Sequence, residues 1–294
     1  MMHKANTYFI TTEQNAPEVA RLLYQSQLIV KNMGELFPES IDPAQLHRIL
    51  DVACGPGGWA LDVAGHYPDV EVIGFDISPT MIDHARLLAE VEGLANASFH
   101  IMDATRPLDF PDHSFDLVNA NFIQSFMPPA AWPTALQEFV RVTRPGGIIR
   151  LLEYEVAITN SSPVDETYRI FAEVTAQLGR SFSSNGQHIG ITPMLRRLLL
   201  EAQCQEIQHK PYAFDCSSGS EWHQGFSEDW IMLSRLTYPF IVNARGEEAG
   251  DHIKAMLEEG LKDLQSEDFC GILYLLSVWG RTPAAEKVST GRDA

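Results

Sequence analysis

The stretch Ile49-Leu50-Asp51-Val52-Ala53-Cys54-Gly55-Pro56-Gly57-Gly58-Trp59-Ala60 constrains this chain more than any other. An apolar, β-branched run enters a glycine-rich turn and continues as a helical pattern, the order in which a nucleotide site is built on a parallel sheet. Gly55 and Gly57 carry no Cβ and tolerate φ > 0, so a ligand can lie against the backbone itself. The following helix directs its free N–H groups and positive dipole end at the turn, which favours a carboxylate or phosphate.

Read as G-x-G-x-x-A, from Gly55 through Gly57 to Ala60, the turn also fits a dehydrogenase's dinucleotide fingerprint, with Asp76 at the distance of a ribose partner. Two further acids separate the readings. Asp51 lies at the end of the strand, where a dinucleotide has no use for a carboxylate but an amino-acid ammonium group does. Asp103, in Phe99-His100-Ile101-Met102-Asp103-Ala104, follows a third predicted strand. This acid–glycine–acid–acid series resembles the class I S-adenosylmethionine-dependent methyltransferases, closely over residues 45–155 and more loosely beyond. The resemblance implies a Rossmann-like, doubly wound α/β sheet of seven strands, mostly parallel with an antiparallel last strand, carrying helical cap insertions.

Net charge is −18. Such a surface repels phosphate backbones, and no Lys/Arg run offsets it, so a small-molecule acceptor is expected and nucleic acid is not. The four cysteines, Cys54, Cys204, Cys216 and Cys270, are widely spaced and form no metal-type pair. Cys54 is expected to pack beneath the turn, and no metal site is expected. Neither a membrane-length apolar run nor a signal-peptide core at Met1–Asn6 is found, which predicts a cytoplasmic protein without a membrane partner. The apolar insertions would permit a homodimer.

Taken in order, residues 1–44 are expected to form an N-terminal helical lid, its apolar positions Val19, Leu22, Leu23, Ile29, Val30 and Met33 at helical spacing. Residues 45–155 form the cofactor-binding core. Val70 to Asp76 is its second strand; Ser78 caps a helix that Pro79 opens and Gly93 closes. Phe115 to Asn121 is the fourth strand, Trp132 to Val142 a helix, Arg144-Pro145-Gly146-Gly147 a turn and Ile148 to Glu155 the fifth strand. Residues 156–203 read as a helical cap insertion. Residues 204–283 hold the last two strands, Glu206–Phe214 and Cys270–Trp279, expected to pair antiparallel around a helical insertion from Trp222 to Leu264. Residues 284–294 form a polar tail, expected to fray.

The resemblance assigns S-adenosylmethionine, with S-adenosylhomocysteine as product, to these positions. Asp51 takes the ammonium group, beside Ala53, Gly55 and Gly57. Asp76 accepts from the ribose hydroxyls, flanked by Ile77 and Met81. Asp103 faces the adenine, framed by Met102 and Ala104. Gln25 on the lid and Asn119 on the fourth strand complete the set, although Gln25 also fits a solvated helix face. Methyl transfer is an in-line displacement that asks the protein to align the acceptor and exclude water, with a general base only for a protonated acceptor. His188 in the loop 181–190, Glu153 and Tyr154 are the catalytic candidates. Glu153 and Glu155 are expected on opposite faces, so that at most one points at the site. Tyr24, Phe122, Tyr154, His188 and Trp222 are the acceptor candidates; core packing explains Phe122 equally well and Trp222 better, and His188 also fits a loop histidine bonded to backbone. Non-methyl chemistry with the same cofactor, or a nicotinamide-dependent oxidoreductase, are the alternatives.

Overall fold

In the computed structural model, which describes residues 15–284, the central strands are near-continuous apolar runs because both their faces are covered. Strand β1 (Arg48–Val52) is buried from Ile49 onward, and β4 (Phe115–Asn121) is buried up to Ala120. β1 pairs in parallel with β2 (Glu71–Asp76) on one edge and β4 on the other. β3 (Ala97–Ile101) extends the sheet beyond β2, and β5 (Thr143–Tyr154) pairs in parallel with β4. The order is therefore β3-β2-β1-β4-β5, followed by β8 (Gly271–Arg281), which runs antiparallel to β5. β7 (Gln205–Asp215) pairs antiparallel along the far edge of β8.

The sheet has eight strands where seven were expected. The additional one, β6 (Ile158–Thr159), pairs with Gly271 and Ile272 of β8. β5 ends opposite Leu275, so the first residues of β8 would otherwise present unpaired backbone on that edge, and the chain leaving β5 returns to cover them. The expected turn at Arg144–Gly147 is absorbed into β5 as an irregularity in its register with β4.

Helix α1 (Asn15–Met33), α2 (Gly58–His66) and α3 (Pro79–Glu92) lie on one face of the sheet. Ser78 accepts from the Met81 N–H at 3.4 Å, Pro79 opens α3, and Gly93 ends it at φ 70°. On the opposite face, α4 (Trp132–Val142) buries Trp132, Ala135, Leu136, Phe139 and Val142, a single helical stripe. α6 (Leu195–Glu201) packs beside α4, so this part of the expected cap insertion lies against the sheet instead. The cap is built from α5 (Ser162–Gln177), α7 (His223–Arg245) and α8 (Glu247–Leu264), joined to α1 through an aromatic cluster. Gly246, at φ 88°, divides the expected second insertion into two helices. The positions Met1–Asn6 and the tail from 285 onward lie outside the described residues. Among the described residues, no helix is long and apolar enough to cross a membrane.

Asp116, at the start of β4, ties three strands together. Its carboxylate accepts from the N–H groups of His47 and Arg48 at 2.6 and 2.7 Å and pairs with Arg144 at 2.7 Å. Replacing it by alanine strands two donors and a cation near the strand entrance. Asp116→Ala is expected to lower stability by about 3 kcal/mol, read as a fall in the urea midpoint with an unchanged slope.

Candidate active site

Where β1 ends, Ala53, Gly55 and Gly57 all take left-handed backbone, at φ 52°, 55° and 88°. The glycines serve different ends. A Cβ on Gly57 would lie 3.0 Å from both Ala85 Cβ and the Phe99 ring, so this residue lets the turn pack against α3 and β3. A Cβ on Gly55 would meet only Leu22 Cδ1, at 3.9 Å, across open space. Gly55, Pro56 and Gly58 line a cavity of about 510 Å³ at the carboxyl ends of β1, β2 and β4, while Gly57 does not. Beneath the turn the Cys54 thiol packs where a Gly74 Cβ would stand, and burial raises its pKa well above the ordinary value, keeping it protonated.

All three acids reach this cavity. Asp51 is 3% exposed and accepts from the Asn119 side-chain amide at 2.8 Å. Burial pushes its pKa to about 7, against the opposing pull of Asn119 and Arg150. Asp76 accepts from the Gly55 N–H at 3.1 Å and the Ser78 N–H at 2.8 Å, joining the ends of β1 and β2. Burial raises its pKa as well, while those backbone bonds lower it. Asp103 accepts from the Thr105 N–H and hydroxyl at 2.9 and 2.6 Å and stays half-exposed at the rim.

From these acids the cavity continues under the cap between Tyr154, Phe122, Tyr168, Trp222 and Phe226. Phe122 takes φ 56°, and its ring lies 5.6 Å from that of Tyr154. A carboxylate also enters this chamber. Asp229 on α7 is held by Arg21 and by the Gln25 side-chain amide, both on α1, and Arg21 is also bonded to Glu18. Burial raises the Asp229 pKa and Arg21 lowers it.

A methyltransferase-domain family model matches residues 49–147, from β1 into β5, the segment that carries the turn and the three acids. Over residues 49–147 the chain carries a methyltransferase domain, on the Rossmann-like sheet of the class I S-adenosylmethionine-dependent enzymes it resembles. Demethylmenaquinone methyltransferase of Deinococcus radiodurans is 41% identical over 107 residues, covering 36% of this chain and 43% of that protein. Aklanonic acid methyltransferase DauC of Streptomyces sp. strain C5 is 36% identical over 118 residues, covering 40% and 52%. The chain thus spans about half the length of the curated relatives it matches. Among solved structures, the YcgJ protein of Bacillus subtilis superposes with TM-score 0.52 at 19% identity, covering 81% of this chain and 93% of that one. A methyltransferase-fold protein from Bacillus halodurans gives 0.50 at 19% identity, covering 89% and 99%. These two show the shared fold.

Of the expected site residues, Gln25, Asp51, Ala53, Gly55, Asp76, Ile77, Met81, Met102, Asp103 and Ala104 all border the cavity, as do Phe122, Tyr154 and Trp222. Five expected residues do not. Gly57 serves packing. Asn119 is fully buried and does not reach the cavity itself, but it bonds Asp51 and Arg150, which do. Tyr24 packs against α7, near the position of a Gly225 Cβ. His188 is exposed in its loop, away from the cavity. Glu153 faces the opposite side of the sheet, and so does Glu155. The expectation that these two take opposite faces was wrong, because positions i and i+2 of a strand point the same way.

Both glutamates hold backbone on the far side of the sheet, and that of Glu153 belongs to the site. Glu153 is fully buried and accepts from the Gln124 N–H at 3.1 Å, holding the turn that presents Phe122. Glu155 accepts from the N–H groups of Ile189 and Gly190 at 2.6 and 2.8 Å, fastening the loop that carries His188. Sequence reasoning missed Asp229 and Arg150. Asp229 meets Arg21 across 208 positions, and no local pattern signals such a pair. Arg150 interrupts an apolar strand, and that interruption is a signal.

Burial raises the Glu153 pKa well above that of an ordinary carboxyl, so folding retains a proton that the unfolded chain releases. Stability attributable to Glu153 is therefore complete below the ordinary carboxyl range and declines as pH rises. Glu153→Gln is expected to gain stability over the wild type between pH 4.5 and 8, by at most about 1.4 kcal/mol per pH unit, measured from urea midpoints at both ends.

Proposed function

We propose that this chain binds S-adenosylmethionine in the crevice beside β1 and transfers its methyl group to a small, largely apolar acceptor under the cap. The observation that carries the reading is one continuous cavity with Asp51 and Asp76 flanking the glycine turn at one end and an aromatic chamber at the other. The residues fit such a cofactor. Asp51 is a buried acid whose hydrogen-bond partner is a neutral amide, an arrangement that an amino-acid ammonium group would complete. Asp76 stands at the strand end, where a carboxylate accepts from ribose hydroxyls. When bound, the cofactor supplies an electrophilic methyl group on a sulfonium sulfur, whose chemistry is its own.

The chain aligns the acceptor and keeps water out. Phe122, Trp222 and Phe226 offer apolar surface for an acceptor ring or chain. Burial, reinforced by the nearby Asp229 carboxylate, holds the Tyr154 phenol well above its usual pKa, so Tyr154 serves as a hydrogen-bond donor and not as a base. Asp229 is a carboxylate on the acceptor side, and Arg21 and Gln25 fix its orientation. It takes the role of general base for an acceptor that must lose a proton, the role expected of His188.

Calorimetric titration with S-adenosylmethionine and S-adenosylhomocysteine, with NADH as control, tests the reading; heat with NADH alone would overturn it. Asp76→Ala is expected to weaken S-adenosylhomocysteine binding by about 1.5 to 3 kcal/mol, roughly 10- to 150-fold. The pH dependence has a defined sign. An ammonium group pairs with ionised Asp51, whose pKa is about 7, so affinity falls as pH drops below 7, by up to about tenfold per unit. Asp51→Asn is expected to bind weakly and to lose this slope across pH 5 to 7.

A further inference from the structure

The cavity contains a buried cation that the proposed reaction does not use. Arg150 on β5 is 1% exposed and borders the cavity. Its Nη1 donates to the Asn119 side-chain oxygen at 2.6 Å and, at 3.5 Å, to that of Asn121. Both acceptors are neutral amides, and its Nε is fully buried with no partner. Among the described residues, no carboxylate lies within ion-pair distance of it. The Trp59 ring lies 5.8 Å from the guanidinium carbon, stacking that leaves the in-plane donors free.

The nearby acids are already engaged. Glu35 accepts from the Lys210 ammonium at 2.7 Å and the Tyr212 hydroxyl at 2.6 Å. Asp51 is bonded to Asn119. Burial lowers the Arg150 pKa to about 10, which leaves it charged at neutral pH. A guanidinium taken from water without a counter-ion is costly, and its fork of donors matches a carboxylate in shape.

The placement follows from register. Asp51, Asn119 and Arg150 are direct partners on β1, β4 and β5, so their side chains share the face covered by α2. An acid and a guanidinium stand two strands apart with an amide between them, donating to the acid and accepting from the guanidinium. Such a row is polarised like the head group of an amino acid.

We propose that Arg150 is a ligand-binding residue that receives a carboxylate entering this cavity, either the α-carboxylate of the cofactor or an acidic group on the acceptor. The inference rests on the cofactor reading above. Arg150 is the pole opposite Asp51: the acid takes an ammonium group and the guanidinium takes the anion. Loss of the guanidinium removes the preference for a ligand carrying the carboxylate and spares a ligand that lacks it.

The test compares wild type with Arg150→Met and Arg150→Gln, the second retaining a group able to bond Asn119. Calorimetry measures S-adenosylhomocysteine against its decarboxylated analogue, which keeps the ammonium group. In the second arm, phenylacetate is compared with 2-phenylethanol by thermal shift on the S-adenosylhomocysteine complex. A cofactor carboxylate predicts that wild type prefers S-adenosylhomocysteine by about 10- to 100-fold and that both variants lose the preference while still binding the analogue. An acceptor carboxylate predicts unchanged cofactor affinity in the variants, with wild type alone stabilised more by phenylacetate than by the alcohol. Retained binding of the decarboxylated analogue reports a folded pocket, and a variant that fails to fold leaves the other variant to decide. The proposal is overturned if wild type discriminates in neither arm, or if a folded variant keeps both wild-type preferences. Absence of heat with S-adenosylhomocysteine in wild type would instead refute the cofactor reading.

Discussion

A parallel strand in mid-sheet satisfies its backbone on both edges only while it stays extended, and β1 meets that limit at Val52. Val52 is still partnered by Phe75 on one side and Ala120 on the other. One residue later the chain turns through left-handed backbone into α2. The connections from β1 and β2 cross the face of α2 and α3, whereas the connection from β4 crosses the face of α4. Winding reverses beside β1, which opens a gap between the two sets of crossovers at the carboxyl ends of the strands. The cavity, the three acids and the glycine turn all follow from that reversal.

The polar groups divide by sheet face, and so do their roles. On the α2 side, Asp51, Asn119, Arg150 and Tyr154 face the cavity or stand directly beside it. On the α4 side, Glu153 accepts the Gln124 N–H of the turn that borders the cavity, and Glu155 accepts the N–H groups of Ile189 and Gly190 in the loop outside it. An uncharged carboxyl buried behind a turn imposes geometry without adding charge to the ligand space. The exposed cap loop likewise gains definition from Glu155 and places its histidine in solvent.

Much of the core was legible because its signals are short-range. β4 and α4 coincide with the residues read from sequence, since apolar runs and helical spacing are set by neighbours within a few positions. The acids at 51, 76 and 103 were legible for the same reason, Asp51 and Asp76 standing in the last residues of β1 and β2 and Asp103 just past β3. The eighth strand was not, because two residues at Ile158 carry no periodicity and pair only where β8 outlasts β5. His188 and Tyr24 read as ligand contacts on residue type and proximity in the chain, and packing places both elsewhere.

The sequence by itself determined a Rossmann-like sheet, the turn between β1 and α2 and the acids around it, because turn chemistry and periodicity act locally. Only the tertiary structure decided which groups meet across the cap. Arg21 and Gln25 reach Asp229 because α1 and α7 pack together, and Arg150 stands opposite Asp51 because three strands align in one register. Those meetings depend on burial summed over whole helices and strands, a long-range quantity that no window of sequence contains.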